Sequence, residues 1–101
     1  MARLDKAAIT AALSTNLPAT ADGTGVADLV ANQGHIIVAA DPAAIDPAIA
    51  RLRPLPGYRW IAINPSDLFV ASPKTIGTKV GIMDPTGRVL KNADLPRPTT
   101  S

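Results

Sequence analysis

Catalysis and metal binding need particular side chains held beside one another. The chain of 101 residues has one histidine, His35, no cysteine and eight acidic residues, all aspartate. These are Asp5, Asp22, Asp28, Asp41, Asp46, Asp67, Asp84 and Asp94. Hydrolytic and acid–base chemistry requires a nucleophile or proton carrier next to a partner group. His35 opens an apolar run, where a locally bonded or solvated strand-edge imidazole is a simpler reading than a base or a ligand. One histidine without cysteine does not make an ordinary zinc site. The aspartates mostly stand in turns and at helix starts, where aspartate has a structural reason to be. A carboxylate pair would require distant positions to converge in space. The residues therefore point to no catalytic, metal or cofactor-binding group, and to a protein that is not an enzyme.

Three short segments test that reading. Asp22-Gly23-Thr24-Gly25 has the look of a calcium or phosphate loop but lacks the further oxygen ligands and the lysine such loops need. Gly77-Thr78-Lys79-Val80-Gly81 precedes a strand, with no helix N-terminus behind it to hold an anion. Two helices at the start could imitate a helix-turn-helix, but their connection is too long for the tight turn. The second of them also carries Asp28, Asn32 and Gln33 without a cation for phosphate.

The elements that would position these residues follow from periodicity and punctuation. Leu4, Ala8, Ile9, Ala12 and Leu13 predict a helix over 4–17, with Asp5 at its positive end and Pro18 closing it. A second short helix is expected over 26–33, stopped by Gly34. Residues 35–40, His-Ile-Ile-Val-Ala-Ala, suit a buried central strand. Asp41-Pro42 and Asp46-Pro47 both resemble an N-cap followed by proline, and the second is the better start for a helix that ends before Pro54. With a strand over 58–64 this makes a βαβ unit. Alternation there places Tyr58, Trp60 and Ala62 on one face and Arg59, Ile61 and Ile63 on the other. A short strand over 68–72 and a hairpin of 79–83 with 88–90 about Asp84-Pro85-Thr86-Gly87 complete the reading. The fold class is α+β: two short N-terminal helices, one βαβ unit, then a mostly antiparallel set of short strands. Residues 1–90 form one domain and 91–101 an extended tail.

Composition limits the partners. The hydrophobic share is 47%, but alanine supplies much of it and only Tyr58, Trp60 and Phe69 are aromatic, which implies a thin core that a partner surface or a second copy completes. The net charge is +2 and the basic residues form no run, so neither nucleic acid nor a membrane surface is an expected partner. No apolar stretch approaches membrane-spanning length, and Met1-Ala2-Arg3-Leu4-Asp5 has no signal-peptide core, so synthesis in the cytoplasm is expected. Arg59 and Trp60 are candidate interface anchors by residue type, with ordinary core packing as the competing reading for Trp60. Leu95 and Arg97 are candidate contacts from the tail.

Residues 4–30 carry one further signal. Thr15, Asn16, Leu17 and Pro18 end the first helix, Gly23 lies in a polar turn, and Ala27, Asp28 and Leu29 open the next element. This segment resembles one that recurs in virion structural proteins of tailed bacteriophages, in head-decoration and tail-fibre components. Ala19-Thr20 and Gly25-Val26 depart from the commoner residues of that pattern. The resemblance implies a noncatalytic role on a phage particle: a capsid decoration or cement subunit bridging shell subunits, partnered by the major capsid or another virion protein. Two alternatives remain at this point, a tail, neck or fibre-attachment component and a small intracellular regulator that binds a host protein.

Overall fold

The computed structural model describes residues 4–17, 19–23, 25, 27–31 and 34–94. They form an α+β domain in which three helices pack on a six-stranded mixed sheet. The elements are α1 (Lys6–Asn16), β1 (Thr20–Ala21), β2 (Leu29–Ala31), β3 (Gly34–Val38), α2 (Ile45–Leu52), β4 (Arg59–Ala62), α3 (Leu68–Thr75), β5 (Gly81–Met83) and β6 (Val89–Lys91). Spatial order follows chain order, β1-β2-β3-β4-β5-β6. The central three strands are parallel, and β1–β2–β3 and β5–β6 are antiparallel flanks.

Two βαβ units build the centre, where the sequence suggests one. The first, β3-α2-β4, matches the expectation. The second, β4-α3-β5, replaces the expected strand over 68–72 with a helix. The other difference lies over 26–33, where β2 stands in place of a second helix and pairs Leu29 with Ile36 and Val30 with His35. The turn into β3 depends on Gly34, whose φ of 126° favours glycine and where a Cβ would run into Tyr58 O.

Parallel strands need cover on both faces, and the alternation in β4 supplies it. Trp60 and Ala62 face α1 together with Ile36, Val38 and Met83, against Ile9 and Leu13. Ile61 and Ile63 face the other way with Ile37 and Ile82, against Ile45, Ala48, Ile49 and Leu52 of α2 and Ala71 of α3. The core is fuller than the alanine content implies. Ile9, Ile36, Ile45, Ile61, Ile63 and Ile82 are fully buried, whereas Ala7, Ala11, Ala43 and Ala50 are exposed. Each such isoleucine contributes about 1.5–3 kcal/mol of burial.

Helix starts account for half of the acidic residues. Asp5 caps α1, its Oδ1 accepting from Ala8 N at 2.8 Å. Asp41 caps a 3₁₀ turn that runs straight into α2, accepting from Ala44 N at 3.0 Å. Asp46, expected as the α2 cap, lies inside the first turn of that helix; Asp41-Pro42 is the functioning cap-and-proline pair. The β5–β6 hairpin closes through Gly87 N to Asp84 O at 3.0 Å, as its turn residues predict.

The packed part runs past residue 90. Lys91 belongs to β6, Ala93 packs against the α1-side core, and Asp94 N donates to Lys79 O at 2.9 Å. The tail residues Leu95 and Arg97 lie outside the described residues.

Candidate functional site

Any chemistry would need the polar side chains. Asp28 Oδ2 accepts from Val38 N at 2.8 Å and its Oδ1 lies 3.1 Å from Lys6 Nζ. Asp84 Oδ1 accepts from Thr86 N at 2.9 Å, Arg88 N at 3.0 Å and the Thr86 hydroxyl at 2.6 Å. Asp22 Oδ2 takes Ala27 N at 3.0 Å, and Asp46 meets Lys74 Nζ at 2.9 Å. Each of these carboxylates is engaged in a local backbone bond or an ion pair. No group of three or more His or Asp residues among the described residues is close enough to share a metal ion.

Arg59 and Trp60 prove to be interior. Trp60 is 7% exposed and packs under α1, beside Gly81 in the parallel register. Arg59 is 3% exposed and reaches two loops: Nη1 donates to Arg53 O at 3.1 Å and Nη2 to Thr78 O at 3.0 Å. It therefore braces the α2–β4 connection against the α3–β5 connection. Burial, and secondarily the charge of Arg53, lowers its pKa from the usual arginine value. His35 lies directly beside Arg59 in the β3–β4 register, and both His35 Nδ1 and Arg59 Nε are buried without a hydrogen-bond partner. In this conformation neither Arg59 nor Trp60 presents itself to a partner; the reading of Trp60 as core is the one that fits.

What the surface does present is α3. Its residues divide at helical spacing. Ala71 and Thr75, one turn apart, are buried towards the sheet. Lys74 leans to α2, where it meets Asp46, and Lys91 of β6 reaches Thr75 Oγ1 at 2.7 Å and Ser72 O at 3.3 Å. Opposite the buried line stand Phe69 and Pro73, and beside them Ile76, the C-cap residue just past the helix. Phe69 is 89% exposed and Ile76 73%, the two most exposed large apolar side chains among the described residues. Val70 widens the stripe. Pro73 takes one bond out of the helix, the one to Phe69 O, and does so on the face open to water.

Reading residues 68–72 as a strand hid this stripe, because a short apolar run cannot be told from a helix by periodicity. Pro65-Ser66-Asp67 was the available signal: proline opening a 3₁₀ turn with aspartate behind it is a helix start. With 68–72 helical, no strand edge is offered there. The outer strand β6 has three residues, an irregular register against β5 and a lysine folded back on α3, features that discourage strand addition.

No helix among the described residues is long and apolar enough to cross a membrane. Comparison with family models, with curated proteins and with solved structures finds no match for this chain.

Proposed function

We propose that this chain is a noncatalytic structural subunit of a bacteriophage particle, a capsid decoration or cement protein that holds neighbouring virion subunits by protein–protein contact. The observation that carries the contact role is the apolar flank of α3, where Phe69 and Ile76 stand in water at 89% and 73% exposure beside Val70. Large exposed apolar side chains gathered on one element mark association surfaces, and aromatic residues are enriched in their centres. The assignment to a phage particle rests on the resemblance of the segment around Thr15, Asn16, Leu17 and Pro18 to virion proteins. The chain would be assembled in the host cytoplasm and reside in the virion, with the major capsid protein or another virion protein as its partner.

Quantitative mass spectrometry of purified particles tests this reading. A decoration subunit occurs in fixed proportion to the main shell protein, and particles stripped of it take up added wild-type chain but not Phe69→Lys. Absence of the chain from particles refutes the proposal.

A further inference from the structure

One charged side chain in the interior has no opposite charge beside it. Arg59 is 3% exposed, and among the described residues no carboxylate pairs with it. Its hydrogen bonds go to carbonyl oxygens, Arg53 O at the end of α2 and Thr78 O past the end of α3. Carbonyls at helix C-termini carry only partial charge. A guanidinium also has more donors than those two, and the Nε–H of Arg59 is buried with nothing to accept it. A buried charge is costly until an opposite charge and full hydrogen bonding meet it.

The β3–β4 register puts a second such atom beside the first. His35 and Arg59 are direct partners in the parallel pair, two residues before Ile37 and Ile61. Alternation places both side chains on the α2 side of the sheet, where Ile37 and Ile61 pack. His35 Nδ1 is likewise buried and unbonded. We infer that Arg59 Nε–H and His35 Nδ1–H together form a binding site for one small monovalent anion, a halide or a carboxylate.

Charge selects the anion over the other candidates. A water molecule would bond to both atoms but leave the guanidinium uncompensated, and the charge of Arg53 adds to it. A metal cation is repelled by the same charge. An anion requires the imidazole to carry its proton on Nδ1, which one tautomer of neutral histidine does. Both donors and the charge are then satisfied at once, and charge-assisted bonds of this kind are the strong ones. Cover over the site is thin. Arg59 opens β4, and Arg53, Pro54, Pro56, Gly57 and Tyr58 before it are exposed. That loop is the way in, for a free ion or for a carboxylate on another protein's side chain.

Nuclear magnetic resonance of the whole chain, isotopically labelled in nitrogen, reads the site directly. Sodium chloride replaces sodium gluconate at constant ionic strength, and sodium acetate does so in a parallel series. The Arg59 Nε–H and His35 Nδ1 signals should move together and saturate, while exposed Arg53 drifts without saturation. His35→Phe keeps a ring in place but removes one donor, and should weaken the Arg59 response about ten-fold. The wild-type titration decides by itself if that variant does not fold. Saturation by acetate with competition from chloride identifies a carboxylate site, and saturation by chloride alone a halide site; either supports the assignment. Arg59 and His35 signals that drift as Arg53 does, with both anions, overturn it. So does a scalar coupling between Nε and Nδ1, which would show the two side chains bonded to each other, or an undiminished Arg59 response in His35→Phe. Neither a particle nor the α3 flank enters the measurement, so its outcome bears on this site alone and leaves the proposed function to its own test.

Discussion

Asn64 holds together three segments that are remote in sequence, and removing its side chain should be costly. It sits just past β4 at 5% exposure. Its Nδ2 donates to Leu4 O at 3.0 Å and Ala40 O at 2.9 Å, and its Oδ1 accepts from Leu4 N at 2.9 Å. The start of α1 is thereby pinned to the ends of β3 and β4. Asn64→Ala deletes all three bonds. Leu4 is exposed, so water can replace its two bonds and their loss falls near the low end of about 0.5–1.5 kcal/mol each. Ala40 is half-buried, and losing the Asn64 donor there costs about 1–3 kcal/mol. The expected loss is about 2–4 kcal/mol, a large share of the roughly 5–15 kcal/mol that stabilises a domain. Urea unfolding followed by circular dichroism measures it as a shift in midpoint at constant slope. Asn64→Asp keeps the acceptor but turns a carboxylate towards two carbonyl oxygens. Burial there favours its protonated form, so its stability relative to wild type should improve as pH falls from 7 towards 4. An Asn64→Ala protein within about 0.5 kcal/mol of wild type would refute the reasoning, because it would mean the bracket carries no net stability.

The cap assignment makes a paired prediction. Asp41→Ala should cost about 1 kcal/mol, whereas Asp46→Ala loses only an exposed ion pair and should cost less than about 0.5 kcal/mol by the same unfolding assay. Gly34→Ala combines a left-handed backbone with a Cβ against Tyr58 O and should cost more than about 2 kcal/mol; Gly77→Ala, at φ 80° in open space, should cost about 1 kcal/mol. Trp60→Ala should destabilise the isolated chain by about 3–5 kcal/mol, and an unchanged melting temperature would restore Trp60 as a surface anchor.

Elements with strong punctuation were legible in the sequence, and those without it were not. Asp5, the run of Ile9 and Leu13 and the break at Pro18 define α1 because helix caps and stops are local chemistry. The first βαβ unit and the two faces of β4 follow from Trp60 and Ile61 alternating, a pattern that the sheet preserves. Residues 26–33 misled because Leu29, Val30 and Ala31 are compatible with either state; only pairing with Ile36 and His35, a tertiary event, makes them a strand. Residues 68–72 misled for the same reason. Alanine content misjudged the core, since exposed Ala7 and Ala11 serve α1 through helix propensity while isoleucine fills the interior. Residue type suggested Arg59 and Trp60 as contacts, but burial depends on which strand they occupy. Phe69 was visible only as an aromatic residue, because its exposure arises from the helix that carries it.

That orientation of α3 follows from how closely the helix lies on the sheet. Small residues, Ala71 and Thr75, face the sheet, and the large ones, Phe69 and Ile76, face water. An eight-residue helix is too short to persist without tertiary packing, and one apolar line suffices to attach it to the domain. The second line adds nothing to that attachment, and it lowers solubility. Turning the helix to bury Phe69 would gain apolar burial, but the narrow space beneath α3, where Ala71 is fully buried, admits only small side chains. The close approach of helix and sheet therefore fixes which line points outward. On the proposed function, association through the flank gives the outward line a role that the isolated domain does not.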